Sequence, residues 1–292
     1  MKNYNEQGRI VLVMKELKSI VENFDVISFD VFDTLLLRPY LKQEDLWLDL
    51  GRRELGEKDG AAFLKARISA DRKTYAEATK RGGEHTLKEA YRLMPKRYAS
   101  LMEKEERLQR ECLVANPEML EVWKRAGELG KTRIIVSDMY LGEAWFSETL
   151  RKNGLGDYDT LYVSSARQAR KSSGKLFEIV KKDFAGKQIL HVGDNRASDV
   201  DMASRIGIRS ILSESPVDQF LKEFSFARQF LVRNASLEGR MLVACLARFW
   251  KDFLLQRNGV PSYWHKIGFA LGGVLAAGFL SWIKERGKDL GI

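Results

Sequence analysis

The stretch VISFDVFDTLL, residues 26–36, decides the fold class predicted for this chain of 292 residues. Its apolar, β-forming first part, Val26–Phe29, ends abruptly at the two carboxylates Asp30 and Asp33. In α/β proteins, a buried strand that ends at an acid places that acid at the carboxyl edge of the sheet, where ligands bind. Two like charges this close repel unless a cation neutralises them or one is protonated. The stretch therefore indicates a reaction site at the end of a strand.

Apolar runs and helical patterns alternate along much of the chain. The predicted strands are Val26–Asp30, Arg133–Asp138, Thr160–Ser164, Gln188–Asp194 and Arg209–Leu212. Helices are predicted before and between the last four, at Pro117–Leu129, Ala144–Asn153, Gly174–Asp183 and Ser198–Ile206, with Asn116 as the cap of the first. Such alternation predicts an α/β fold with a parallel sheet and right-handed crossovers, covered by helices on both faces.

Residues 41–115 interrupt this alternation with helical patterns alone, at Gln43–Leu55, Gly60–Lys80 and Thr86–Leu113. The pair Gly82-Gly83 is typical of a turn between two of them. We expect this insert to be a cap over the strand ends; a helical domain that does not touch the site is the alternative. The predicted domains are an α/β core of residues 1–40 and 116–215, a cap of residues 41–115, and a C-terminal helical extension of residues 216–292.

The extension contains two kinds of helical sequence. Phe220–Arg257 is rich in aromatic residues, whereas Ile267–Ile283 is almost wholly apolar and is at the short limit for crossing a bilayer. A buried helix is the favoured interpretation of Ile267–Ile283, with a membrane span or an interfacial helix as alternatives. Residues 288–292 resemble the lead-in to a further strand, so a further domain is expected beyond them.

Composition and charge argue against a disordered chain, a disulfide-rich protein and a nucleic-acid-binding protein. Hydrophobic residues make up 45% and charged residues 30%, which is typical of a globular protein with a sizeable core. The formal net charge is +9, but the basic residues alternate with acids, so a solvated surface is favoured and no nucleic-acid partner is expected. The two cysteines form no disulfide framework, and Met1–Arg9 contains no signal peptide. We expect a cytoplasmic protein, with peripheral contact with the inner membrane through the C-terminal region left open.

Four short motifs follow one another at or near predicted strand ends. They are DVFDT at residues 30–34, Ser137, Lys175 after Ser172-Ser173-Gly174, and Gly193-Asp194 followed by Asp199. Together these motifs resemble the haloacid dehalogenase (HAD) superfamily over residues 24–215, in the branch whose helical cap is inserted after the first motif. The resemblance implies a three-layer Rossmann-like core and a phosphatase that depends on Mg²⁺.

The resemblance also implies a role for each motif in phosphoryl transfer, which needs a nucleophile, a cation and donors around the phosphoryl oxygens. Asp30 would be the nucleophile and would form an aspartyl-phosphate. The Asp30 carboxylate, the Phe32 backbone carbonyl and the Asp194 carboxylate would bind Mg²⁺. Asp199 would bind the metal through water or orient Lys175, or only cap the following helix.

Further side chains would contact the phosphoryl group. Ser137 and the backbone amide of Asp138 would donate to a phosphoryl oxygen, and Lys175 would supply positive charge beside Asp30. A plain turn is the alternative for Ser137 and Asp138, and a solvated side chain is the alternative for Lys175.

The first motif departs from the usual phosphatase pattern. Phe32 stands two residues after the nucleophile, where most phosphatases of the superfamily carry their general acid, and the second acid is Asp33. Because dehalogenases also lack an acid at that position, this departure favours a haloacid dehalogenase; the metal-ligand motif at Gly193-Asp194 favours a phosphatase. Asp33 serves as acid and base from a shifted position, or it is only a turn residue. A phosphomutase and a non-catalytic interaction module also remain as alternatives.

The sequences of residues 29–36 and 137–141 are similar to those of a HAD subgroup that is associated with bacterial glycosyltransferases for capsule and surface glycans. That similarity implies a small substrate, a phosphorylated sugar or polyol, and a glycosyltransferase module as a partner. Candidate substrate-binding residues are Arg67 and Arg72 in the cap and Tyr140 after Ser137. Surface arginines, and a tyrosine packed under the cap, are the alternatives. His191, inside a predicted strand, is expected to be a core residue.

Overall fold

The computed structural model describes residues 17–233, 236–256 and 261–289. Its strands are β1 (Val26–Phe29), β2 (Leu36–Leu37), β3 (Val114–Ala115), β4 (Thr132–Ser137), β5 (Thr160–Val163), β6 (Ile189–Gly193) and β7 (Arg209–Leu212). Five of them form a parallel sheet in the order β5-β4-β1-β6-β7. The predicted α/β fold with a parallel sheet is therefore confirmed, and each predicted strand end is correct to within one residue.

The helices are α1 (Gln43–Lys80), α2 (Leu87–Arg92), α3 (Leu101–Glu111), α4 (Pro117–Glu128), α5 (Glu143–Lys152), α6 (Ser164–Arg167), α7 (Lys175–Asp183), α8 (Ala203–Arg205), α9 (Pro216–Glu223), α10 (Ser225–Arg233), α11 (Leu237–Leu255), α12 (Tyr263–Ile267) and α13 (Val274–Asp289). Two π-helical segments, Arg196–Met202 and Gly268–Gly273, precede α8 and α13. The helix predicted at Ser198–Ile206 is thus mostly π-helical, a form that is frequent at functional sites.

The central strand β1 is buried on both faces. Ile27 and Phe29 lie in one apolar cluster, while Val26 lies in a second cluster on the other side of the sheet. This is the period of two expected for a strand. Phe29 packs against Trp123 of α4, with ring centroids 5.4 Å apart. Helices thus cover both faces of the sheet. A ligand could therefore approach β1 at its carboxyl end.

The helical insert between β2 and β3 differs in detail from the prediction. The two helices predicted at 43–55 and 60–80 are joined at Gly56, whose φ of 79° breaks the helical geometry. The prediction of a single helix at Thr86–Leu113 is wrong, because this segment divides into α2 and α3 around Pro95. Proline has no N–H group and disfavours helical geometry in the preceding residue.

The ends of the insert are held together at one place on the core. Strands β2 and β3 pair antiparallel, with Leu36 opposite Ala115. Asn116 donates from its side chain to the carbonyl of Thr34 at 2.7 Å and accepts from the N–H of Glu118 at 3.2 Å. The predicted cap residue of α4 therefore also fixes the entry to the insert. These two short strands were not predicted.

The C-terminal helices α9, α10 and α11 form a separate apolar cluster. Lys251 of α11 forms an ion pair with Glu118 of α4, and Arg240 forms one with Asp45 of α1 at 2.7 Å. The prediction that Ile267–Ile283 is a buried helix is wrong, because most of its residues are exposed. Residues 1–16 and 290–292, on which the absence of a signal peptide and part of the predicted lead-in fall, lie outside the described residues.

Candidate active site

Three carboxylates meet at the carboxyl edge of the sheet. Asp30 follows β1, and its backbone N–H donates to the carbonyl of Val192 in β6 at 2.9 Å. Asp194 follows β6, and Asp199 lies in the adjoining π-helical segment. One oxygen of each carboxylate lies within 4.8 Å of the others, so these side chains form a group that could hold a metal ion.

Gly193 makes room for this arrangement. A Cβ atom built at Gly193 would lie 2.5 Å from the carboxylate carbon of Asp199. No real side chain tolerates such a contact, so only glycine allows the Asp199 carboxylate to lie against the end of β6. The Gly-Asp pair singled out in the sequence therefore has a steric reason as well as a chemical one.

The lysine beside Asp30 is Lys171, and the prediction of Lys175 in that place is wrong. The Lys171 ammonium nitrogen lies 2.5 Å from an oxygen of Asp30 and 2.6 Å from one of Asp199. Lys175 is exposed at the start of α7, where its ammonium group lies 3.4 Å from the carbonyl oxygen of Gly82 in the cap. The two lysines flank Ser-Ser-Gly four residues apart, and no spacing rule in the sequence distinguishes them.

Asp138 fixes the loop that carries Lys171. Its carboxylate accepts hydrogen bonds from the backbone N–H groups of Lys171 at 2.7 Å and Ser172 at 3.3 Å. The Asp138 side chain therefore positions the lysine rather than facing a substrate. The role predicted for the Asp138 backbone amide stays a prediction.

The charges of this cluster are not balanced by its own residues. Burial raises the pKa of Asp30 well above its usual value, against the opposing effect of Lys171. Burial, with the charges of Asp33 and Asp199, raises the pKa of Asp194 to about 7. Burial alone would lower the pKa of Lys171, but Asp30 and Asp199 outweigh it and keep this side chain an ammonium. When Asp30, Asp194 and Asp199 are all ionised, their negative charge exceeds that of one ammonium, and a divalent cation would neutralise the excess in place of a proton.

Asp199 is fully engaged by protein groups. One of its oxygens accepts from Lys171 and lies 3.3 Å from Nε2 of His191, and the other accepts from the N–H of Asn195 at 3.0 Å. His191 in turn lies 2.7 Å from the hydroxyl of Ser28, and both are buried. Asp199 therefore orients a lysine, but that lysine is Lys171 and not the predicted Lys175; the predicted contact with a metal through water stays a prediction. His191 is a core residue, as predicted.

Asp33 occupies a tight turn beside the cluster. Its φ of 58° lies in the left-handed region, which Asp adopts more readily than most residues. The backbone N–H of Asp33 donates to Leu36, and its carboxylate forms an ion pair with Arg38 at 3.2 Å. The charge of Asp33 also contributes to the raised pKa of Asp194. The turn role is shown, while the acid–base role stays a prediction.

Ser137 presents an unpaired hydroxyl group at the carboxyl end of β4. Its side chain is buried, and its Oγ has no hydrogen-bond partner among the described residues. A buried polar group without a partner is costly, so a native one needs an explanation such as a ligand.

Phe32 packs its ring against Trp145, with ring centroids 6.4 Å apart, and the metal-ligand role predicted for its backbone carbonyl stays a prediction.

The substrate-binding role predicted for Arg67 is wrong. Its side chain is wholly buried, and it donates to both oxygens of Glu105, at 2.9 and 3.0 Å. The hydroxyl of Tyr140 also donates to Glu105, at 2.9 Å, so this group does not face a pocket either. Arg72 is exposed on α1, and its predicted role stays a prediction. Because Glu105 is 38 residues from Arg67 in the chain, the spacing of the arginines could not predict this ion pair.

The solved structures to which this chain is similar include dehalogenases and HAD-family hydrolases. L-2-haloacid dehalogenase from Xanthobacter autotrophicus is 15% identical with a TM-score of 0.47, over 68% of this chain and 82% of that one. A HAD phosphatase from Thermococcus onnurineus is 19% identical with a TM-score of 0.46, over 64% and 85%. A putative HAD-hydrolase from Bacillus subtilis bound to magnesium is 17% identical with a TM-score of 0.44, over 65% and 86%.

No protein-family model and no curated protein matches the chain. Because these similarities are low and include both phosphatases and dehalogenases, the choice of activity rests on the site itself. The structure is that of an α/β protein with a centre of three carboxylates and one lysine at the carboxyl edge of a parallel sheet.

Proposed function

We propose that this protein is a HAD-type phosphatase that depends on Mg²⁺ and hydrolyses a small phosphomonoester through an aspartyl-phosphate on Asp30. The observation that carries the proposal is the group formed by Asp30, Asp194 and Asp199 around the ammonium of Lys171. Negative charge in excess of one ammonium, in a buried site, suits a hard divalent cation and an anionic substrate together.

The donor set fits magnesium. Carboxylates of Asp30 and Asp194 are the side chains that would hold Mg²⁺, because both oxygens of Asp199 already have protein partners. When bound, Mg²⁺ would neutralise charge on the phosphoryl oxygens and favour the ionised form of Asp30.

The residues of the chain would then act in two steps. An oxygen of Asp30 attacks phosphorus; the new O–P bond forms as the ester O–P bond breaks, and the leaving alkoxide takes a proton from Asp33. Water next attacks the same phosphorus and gives a proton to Asp33; the new O–P bond forms as the O–P bond to Asp30 breaks, so that phosphate is released and the Asp30 carboxylate is restored. Lys171 and Ser137 would stabilise the phosphoryl oxygens in both steps.

The cap supports a small substrate. It contacts the loops that carry the site: Tyr140 lies 2.8 Å from the side-chain nitrogen of Gln109, and Arg170 lies 3.0 Å from Glu84. A cap held over the strand ends excludes water and large substrates. The resemblance to glycan-associated HAD proteins makes a sugar or polyol phosphate our proposed substrate and a glycosyltransferase module our proposed partner.

The test is phosphate release from a panel of sugar and polyol phosphates, with and without Mg²⁺. We expect Asp30→Asn and Asp194→Asn each to abolish the metal-dependent turnover of the wild type. Equal metal-dependent turnover by Asp30→Asn and the wild type would contradict the assignment.

A haloacid dehalogenase is the second candidate, favoured by the aromatic Phe32 two residues after Asp30. Hydrolysis in ¹⁸O-water separates the two chemistries, because water attacks phosphorus in one and the Asp30 carboxyl carbon in the other. A phosphatase labels the released phosphate, whereas a dehalogenase labels Asp30 and releases halide without added metal.

A further inference from the structure

The C-terminal apolar helix is the segment Tyr263–Arg286, which combines α12, a π-helical segment and most of α13. Among the described residues, it is the one helix long and apolar enough to cross a membrane, and only 6% of its most apolar window is buried. Residues 267–283 contain no Lys, Arg, Asp or Glu. This surface has no role in the proposed reaction.

Among the described residues, the first turns of this helix pack on the C-terminal helices. Phe269 contacts Trp250 of α11, with ring centroids 5.0 Å apart, and Lys266 forms an ion pair with Glu223. From Leu271 to Arg286, every residue except Val274 is exposed. The apolar side chains of residues 271–283, Val274 apart, are therefore left exposed by the part of the protein that the structure describes.

The exposed stretch of residues 271–283 carries no charged residue on any side of the helix. Leu275, Phe279 and Ile283, spaced four residues apart, share one face with Leu280 beside them, and all four are between 45% and 73% exposed. The opposite side carries Val274, Ala277, Gly278 and Ser281, which are small or apolar and uncharged. An interfacial helix has one polar face, whereas a helix that is apolar all round is a core helix or a membrane span. Because this helix is not in the core, the pattern fits a lipid environment.

The length of the uncovered stretch suits insertion into a bilayer. The stretch 271–283 has 13 residues, about 20 Å at 1.5 Å per residue, which reaches most of the way through a hydrocarbon core about 30 Å thick, and Trp282 lies at its far end. Tryptophan is enriched at both membrane–water interfaces. Lys284 follows the uncharged stretch, where its long side chain would extend to the headgroups.

We propose that the C-terminal apolar helix inserts into the hydrocarbon core of a phospholipid bilayer and anchors the α/β domain to the membrane surface. This inference is independent of the reaction at Asp30, because Tyr263–Arg286 contributes no residue to that site. The net charge of +9 favours an anionic membrane surface beside the domain.

The test uses the full chain and vesicles of phosphatidylcholine and phosphatidylglycerol. We expect the wild type to sediment with the vesicles and to stay bound in roughly 1 M NaCl, where surface attraction is screened within about 3 Å. Leu275→Asp combined with Phe279→Asp should lower the partition into vesicles by about a hundredfold or more, because each charge is costly at the centre of a bilayer. The matched control, Leu93→Asp, changes an exposed leucine of the cap and should bind as the wild type.

A second measurement needs no variant. Trp264 and Trp282 are exposed, whereas Trp47, Trp123, Trp145 and Trp250 are buried in the protein. Lipids brominated on their acyl chains should therefore quench part of the fluorescence of the wild type. A wild type that stays in the supernatant, leaves the vesicles in salt, shows no quenching, or covers the helix by forming oligomers without binding vesicles would overturn the proposal.

Discussion

The ammonium nitrogen of Lys171 lies 2.5 Å from a carboxylate oxygen of Asp30, although 141 residues separate the two in the chain. Asp138 holds the backbone of Lys171, and Asp199 holds its side chain. A charge fixed in this way needs no rearrangement when a phosphoryl group arrives, which is the condition for electrostatic catalysis.

The first prediction distinguishes the two lysines of this loop. Lys171→Met should lower kcat/KM for the phosphomonoester by about 10²–10³, because one fixed donor to the transferring group is lost. Lys175→Met, the matched control, should stay within a few-fold of the wild type, since its ammonium group faces the carbonyl of Gly82. Steady-state kinetics and thermal unfolding of both variants check this. An equal loss of kcat/KM in the two variants would show that Lys171 has no special role at the transferring group.

The second prediction separates the two roles of Asp33. Asparagine tolerates the left-handed conformation that this turn requires, so Asp33→Asn keeps the turn and removes the acid. We expect kcat to fall by about 10²–10⁴ while the thermal unfolding midpoint changes little. Phosphate release and calorimetry provide the two readouts. Full activity in this variant would leave Asp33 with the turn role alone.

The third prediction concerns the buried ion pair of the cap. Arg67→Met should lower the free energy of unfolding by about 3–5 kcal/mol, because it leaves the Glu105 carboxylate buried without its guanidinium. Arg72→Met, on the exposed face of the same helix, should change it by no more than about 0.5 kcal/mol. Urea unfolding followed by circular dichroism measures both. A small effect at Arg67 would show that this buried ion pair contributes little to stability.

The fourth prediction is a pH dependence of stability from His85 in the cap. Burial alone would lower the pKa of His85, but contacts with Asp71 at 3.1 Å and Glu84 at 2.8 Å raise it above its usual value. The rings of Tyr75 and Tyr140 and the guanidinium groups of Arg67 and Arg170, which pair with the same carboxylates, complete its surroundings.

A raised folded-state pKa stabilises the fold fully below the unfolded value of about 6.5, and this contribution is lost as pH rises through the folded value. The gap in unfolding free energy between wild type and His85→Gln should therefore be larger at about pH 5.5 than at about pH 9. Urea unfolding at the two pH values checks this. An equal gap at both would mean that His85 is not charged in the folded protein.

Local patterns were enough to predict the five-stranded sheet, since its strands are short, mostly apolar runs bounded by turn residues. They also placed Asp30 and Asp194 at strand ends that meet, because parallel strands share a carboxyl edge. What could not be predicted depends on distant partners. Lys171 is chosen over Lys175 by Asp138, and Arg67 is buried because Glu105 faces it from another helix.

The exposure of the C-terminal apolar helix was missed for a related reason. Apolar composition normally indicates burial, and only the packing of α9, α10 and α11 shows that their cluster is complete after the first turns of the helix. Composition predicts that a side chain leaves water, but not whether protein or lipid covers it.

The central claim is that Asp30 accepts the phosphoryl group. The most direct measurement is mass spectrometry of peptides from enzyme quenched with acid during turnover of the best phosphomonoester of the panel with Mg²⁺. We expect a phosphoryl group on the peptide that contains Asp30 in the wild type and none in Asp30→Asn. Turnover without a phosphoryl group on that peptide, or with one on a different residue, would contradict the account.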